Sequence, residues 1–80
     1  MKARILTNDP SLLVMFRLGS IEGKLVKNTS EAKEMFKNSI KDENLAVLIL
    51  TRTIEEWINK ELSLYKQKES IPLIVVIDGW

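Results

Sequence analysis

The sequence predicts a three-layer α/β domain: a four-stranded parallel sheet in the order 2-1-3-4, with three helices on its two faces. Three observations carry this. Leu45-Ala46-Val47-Leu48-Ile49-Leu50 and Leu73-Ile74-Val75-Val76-Ile77 are unbroken apolar runs, too short for typical helices and without alternation. Such runs fit strands buried on both faces, as in parallel sheets covered by helices. Between the strand-like segments lie helix-like ones, so the elements read β-α-β-α-β-α-β.

Ala3–Thr7 is the first expected strand. Asn8-Asp9-Pro10 then opens a helix, with Asp9 as cap and Pro10 at the first helical position, where its missing N–H costs nothing. The helix Pro10–Leu18 should stop at Gly19, the usual residue for a left-handed C-terminal cap. Leu12, Leu13, Val14, Met15, Phe16 and Leu18 leave it little polar face, which suggests cover on more than one side.

Ile21–Lys27 alternates apolar and polar residues, as a half-exposed edge strand does. Asn28 and Glu31 stand at capping-box spacing and open a second helix. Its inner face is Ala32, Met35, Phe36, Ser39 and Ile40; Lys33, Glu34, Lys37 and Lys41 face water. Asn28-Thr29-Ser30 matches a glycosylation sequon but is read as this helix cap. After the Leu45–Leu50 strand, Thr53-Ile54-Glu55-Glu56 is a T-x-x-E capping box for a third helix. Ile54, Trp57, Ile58, Leu62 and Tyr65 repeat there at helical spacing. Residues 66–70 form a polar connector, and Pro72–Ile77 is the last strand, with proline at its start where no ladder donor is lost.

Composition narrows function by exclusion. Eighty residues make one domain, residues 1–80, with a small core. The chain has no Cys and no His, which removes disulfides, thiolate and imidazole metal sites, and the usual nucleophilic triads. Twelve basic residues against eleven acidic ones, interspersed, do not make a nucleic-acid footprint. No apolar run approaches the ~20 residues that span a bilayer. The first residues are strand-like rather than a signal peptide, so a cytoplasmic location is expected.

Topology supplies a surface prediction. The least apolar strand, Ile21–Lys27, belongs at an edge, which gives the order 2-1-3-4. Right-handed crossovers then place the first helix alone on one face and the other two helices together on the opposite one. Strands lie about 4.8 Å apart and a helix is about 10 Å across, so one helix covers about two strands. The first helix shields strands one and two and leaves the same side of strands three and four bare. An apolar patch of a few hundred Å2 is expected there, made of alternate residues of Leu45–Leu50 and Leu73–Ile77 and extended by the first helix.

Ligands of open α/β sheets collect beyond the strand carboxyl ends at the switch point, here Asn8, Asp9, Thr51, Arg52 and Asp78. These residues read either as a small-anion or metal site or as helix caps. No glycine-rich phosphate cradle follows a strand. Strand three ends in Thr51-Arg52 without a carboxylate, which argues against a phosphoacceptor receiver. An enzyme built on Asp9 or Asp78 lacks a paired base or nucleophile. Trp57 and Tyr65 are spaced for the core. Trp80 is either a plug over the bare face or a contact residue, and Arg17 either snorkels or meets an acidic partner.

Read together, the segments resemble the F subunit of V/A-type rotary ATPases. The stretch Asn8–Ile21 contains Phe16-Arg17-Leu18 followed by Gly19; Glu31–Phe36 looks like the family's second helix; Leu48-Ile49-Leu50-Thr51 and the Ile54-Glu55-Glu56 helix look like its third strand and helix; and Ile71–Val76 resembles its Pro-x-Ile-Val strand. Thr7-Asn8-Asp9 stands where the family tends to have Gly-Asp, and the family's C-terminal helix beyond the fourth strand is absent from this sequence. The resemblance implies a receiver-like, flavodoxin-like domain without cofactors. It implies a non-catalytic subunit of the central stalk that binds the coiled-coil D subunit. Such a subunit helps couple ATP turnover in the A and B subunits to proton or other ion transport, and lies peripheral to the membrane. Phe16, Arg17, Arg52, Ile77 and Trp80 are the expected partner-binding residues, and self-association through the exposed sheet face is a further expectation. The alternative reading is a free-standing receiver-like domain that binds a small anion or a protein.

Overall fold

The computed structural model describes residues 2–66 and 72–78. Four strands, β1 (Lys2–Thr7), β2 (Glu22–Leu25), β3 (Leu45–Thr51) and β4 (Leu73–Ile77), form one sheet in the order β2-β1-β3-β4, with every pairing parallel. Helix α1 (Pro10–Leu18) packs on β1 and β2. Helix α2 (Thr29–Ile40) and the pair α3 (Arg52–Trp57) and α4 (Asn59–Lys66) form the other layer. The predicted fold class, strand order and division of helices are those observed.

Local chemistry explains where each element begins. An Asp9 side-chain oxygen accepts from the Ser11 N–H at 2.9 Å, and Pro10 occupies the first turn, so α1 starts where the cap dictates. Asn28 accepts from the Glu31 N–H at 2.8 Å, while Glu31 reaches back to the Lys27 N–H at 3.2 Å, one residue beyond the reciprocal partner of an ordinary capping box.

Three local expectations are corrected. Gly19 is not left-handed (φ −92°); the left-handed residue is Ser20, at φ 65°. The Ser20 N–H donates to the Arg17 carbonyl at 2.9 Å and the Ile21 N–H to the Phe16 carbonyl at 3.0 Å, the bond pattern of a Schellman motif shifted one residue along. The Thr53 capping box does not form, because α3 begins at Arg52 with Thr51 as its cap, and the Thr51 hydroxyl makes no cap bond. The third helix is broken rather than continuous. Ile58 leaves helical geometry (φ −118°, ψ 24°) between α3 and α4. Ile58 and Asn59 are weak helix formers, and Ile58 is fully buried. The break still preserves the bonds from Ile58 N–H to Ile54 and from Leu62 N–H to Ile58, so Ile54, Ile58, Leu62 and Tyr65 keep one buried stripe.

The main core lies between the sheet and α2, α3 and α4. Leu6, Leu48 and Leu50 project from β1 and β3 against Phe36, Ile54, Ile58 and Tyr65. Phe36 and Tyr65 meet edge to face, 5.8 Å apart at 81°. At the start of β1, Arg4 ties three segments together, donating to Glu22 at 2.8 Å, to the Ser39 hydroxyl at 3.0 Å and to Asp42 at 3.4 Å.

Candidate functional site

The two sides of the sheet are told apart by Gly23. A Cβ there would collide with the Leu13 side chain of α1 and come within 3.3 Å of Ile5 Cγ2, so Ile5 and Gly23 face α1. Register carries that side across the sheet. Ile5 stands beside Ile49 and Ile49 beside Val75; Ala3 stands beside Val47 and Val47 beside Leu73; Thr51 stands beside Ile77. In-register residues of a parallel sheet share a face. The α1 side of β3 and β4 is therefore Val47, Ile49 and Thr51, and Leu73, Val75 and Ile77.

No helix among the described residues packs on that side of β3 and β4. Leu73 is 65% exposed and Val75 37%, while Val47, Ile49 and Ile77 are half-buried. The two exposed residues, Leu73 and Val75, lie on the side that the crossover geometry leaves without a helix. Helix α1 borders this side. Leu13 leans toward β2, and Met15, 200° further round the helix at 100° per residue, is exposed. Val14 and Leu18 turn away from the sheet into solvent.

Beyond the carboxyl ends of β1 and β3 lies a shallow cleft of about 360 Å3, lined by Asn8, Asp9, Thr51, Arg52 and Thr53 among others. Its polar groups are largely committed. Asp9 caps α1, and its N–H donates to the Thr7 hydroxyl at 3.0 Å. Arg52 donates to Asp78 at 3.0 Å and to Glu55 at 3.2 Å. The Asp78 hydrogen bond and charge, followed by the Glu55 charge, raise the Arg52 pKa above its ordinary value. A cation held by two carboxylates is poorly placed to recruit an anion. The buried Thr51 hydroxyl has no partner among the described residues. Those residues contain no group of three or more acidic side chains able to hold a metal ion.

The predicted contact residues do not form one site. Phe16 is half-buried near the C-terminal end of α1, where its carbonyl receives the Ile21 N–H, and Arg17 is exposed beside it. Arg52 and Ile77 come together at the other end of the sheet, through the Thr51–Ile77 register and the Arg52–Asp78 bond. Trp80 lies outside the described residues. Alternation alone does not say which set of β3 and β4 residues is uncovered; the signal that does is Gly23, the one position of β2 without a side chain. Glycine there admits Leu13 and fixes the α1 side.

No helix among the described residues is long and apolar enough to cross a membrane. No curated protein sequence matches the chain. The fold is similar to that of the F subunit of the V-type ATP synthase from Archaeoglobus fulgidus, with a TM-score of 0.61 and 16% identity over 95% of each chain. The sequence profile of the family described as ATP synthase (F/14-kDa) subunit matches residues 5–79. A match over nearly every element of the sheet and its helices is a match to the whole domain, and the chain belongs to this family of ATP synthase (F/14-kDa) subunits.

Proposed function

We propose that this chain is a non-catalytic subunit of the central stalk of a V/A-type rotary ATPase, where it binds the coiled-coil D subunit and helps couple ATP turnover to ion transport. The observation that carries the proposal is the uncovered apolar side of β3 and β4, in a chain of the ATP synthase (F/14-kDa) family. A coiled coil offers long apolar ridges, and the Val47, Ile49, Leu73 and Val75 rows form a surface without charged side chains against which a ridge can pack. The mechanism is mechanical: the domain grips the shaft, and the energy of that grip biases how shaft rotation is linked to the nucleotide-binding A and B subunits. It acts at the cytoplasmic side of the membrane, as a peripheral part of the complex.

The direct experiment mixes the purified chain with the purified D subunit of the same complex and follows them by size-exclusion chromatography and amide chemical shifts. Co-elution is expected, with shifts concentrated at Val47, Ile49, Leu73 and Val75. A chain that stays free at micromolar concentration, and that is thermally protected by phosphate or a nucleotide, would favour the small-anion alternative. That alternative has the weaker support, because Arg52 is already held by Asp78 and Glu55.

A further inference from the structure

We propose a second docking site on the opposite side of the molecule, in the groove between α2 and α4, for an acidic amphipathic helix of a protein partner. It does not depend on the sheet-face reading, since the two surfaces lie on different sides of the sheet. The groove measures about 460 Å3; Phe36, Ile40, Leu64 and Tyr65 form its apolar lining, and Lys37, Lys41 and Glu61, the last paired with Lys33, its charged one. Leu64 is 57% exposed, although it sits one residue from the buried Tyr65. The floor is preformed. Tyr65 is held edge to face by Phe36, and its hydroxyl donates to the Pro72 carbonyl at 2.7 Å. An apolar side chain entering here finds fixed walls and loses little ordering entropy.

Charge identifies the occupant. Lys33 and Lys37 of α2 and Lys41, its C-cap, follow one another every four residues, and the last two border the groove. Lys33 is paired with Glu61 of α4 at 3.7 Å. Lys37 and Lys41 are exposed, line the groove and have no salt-bridge partner among the described residues. Like charges at this spacing repel, so the stripe is better satisfied by external carboxylates than alone. The walls are helices rather than an open sheet edge, so the groove offers side-chain pockets and no backbone ladder to a strand. A helix with leucines one turn apart and glutamates alongside them fits both the floor and the rim.

The test titrates the full chain with a stapled helical peptide carrying two leucines at i and i+4 and glutamates at i+3 and i+7, and with the same peptide bearing lysines for glutamates. Amide shifts are expected at Lys37, Ile40, Lys41 and Leu64 with the acidic peptide, at a Kd on the order of 100 μM. The double variant Lys37→Glu/Lys41→Glu should weaken acidic-peptide binding about tenfold and gain affinity for the lysine peptide. Both positions are exposed, and an unchanged circular dichroism spectrum checks that the variant is folded. Absence of shifts up to ~1 mM peptide, equal response to both peptides, shifts confined to Leu73 and Val75, or response to phosphatidylglycerol vesicles instead of the acidic peptide would each overturn the proposal.

Discussion

Replacing Leu73 with threonine separates the function of the uncovered face from its contribution to folding. Threonine supplies the β-branching that strands favour and removes apolar surface. Complete burial of a leucine side chain is worth ~1.5–3 kcal/mol. Leu73 is 65% exposed, so roughly two-thirds of that, about 1–2 kcal/mol, remains to be gained when a partner covers it. The other third, about 0.5–1 kcal/mol, is already invested in the fold. Leu73→Thr should therefore weaken D-subunit binding about 5- to 30-fold and lower unfolding free energy by under about 1 kcal/mol. Isothermal titration with purified D subunit measures the first, and urea unfolding measures the second. Leu18→Thr is the control. Leu18 is 83% exposed but turned away from the sheet, and its replacement should leave affinity unchanged. Equal losses for both variants would mean that exposed apolar area binds nonspecifically. An unchanged affinity for Leu73→Thr would refute the sheet-face reading outright.

Three further outcomes follow from local geometry. Gly23→Ala forces Leu13 aside and should lower stability by about 1 kcal/mol, and Leu13→Ala in the same chain should recover part of that loss in a double-mutant cycle of thermal unfolding. Ser20→Gly removes the left-handed cost at the α1 C-terminus, ~1–2 kcal/mol, against an added unfolded-state entropy of roughly 0.5–1 kcal/mol, so a net gain of about 0.5–1 kcal/mol in urea unfolding is expected. The Asn44 N–H, with the Lys2 ammonium behind it, lowers the Asp42 pKa below its ordinary value of 3.8. A carboxylate with a depressed folded-state pKa contributes stability that is present above the unfolded-state pKa and is lost as pH falls through the folded-state pKa. Asp42→Asn should therefore lose stability at neutral pH and flatten the decline below about pH 4; parallel pH profiles for the two chains would contradict this.

The elements were legible in the sequence wherever pattern and chemistry agreed. Leu45–Leu50 could be only a short buried segment, Asp9-Pro10 and Asn28 announced their helices, and strand order followed from one strand being less apolar than the rest. The failures share a different cause: each is a place where tertiary packing overrode a local motif. Thr53-Ile54-Glu55-Glu56 satisfies the capping-box pattern, yet α3 begins at Arg52 directly after β3, with Ile54 buried in the core. Helical spacing over Ile54–Tyr65 correctly identified the buried stripe but not the break at Ile58, because a kink that keeps the stripe in phase leaves the spacing intact. The expected contact residues are scattered because Phe16-Arg17 and Arg52-Ile77 belong to separate segments, and only the direction of α1 against the strands reveals that they sit at opposite ends.

The molecule's two surfaces differ in how they are generated, and that bears on how they should respond to mutation. The sheet face is a consequence of topology: among the described residues, four parallel strands with a single helix on one side leave β3 and β4 without a covering helix, and their apolar character is a choice of sequence. The α2–α4 groove is built from side chains of two helices, Phe36 and Ile40 of α2 and Leu64 and Tyr65 of α4, and α4 follows the break at Ile58. A substitution that straightens this segment, such as Asn59→Ala with its higher helix propensity, should alter the groove while leaving the sheet register untouched. Amide shifts would then move at Leu64 and Lys37 and stay fixed at Val47 and Leu73. Movement of both sets together would show that the two surfaces are coupled through the core, and that a partner on one is felt at the other.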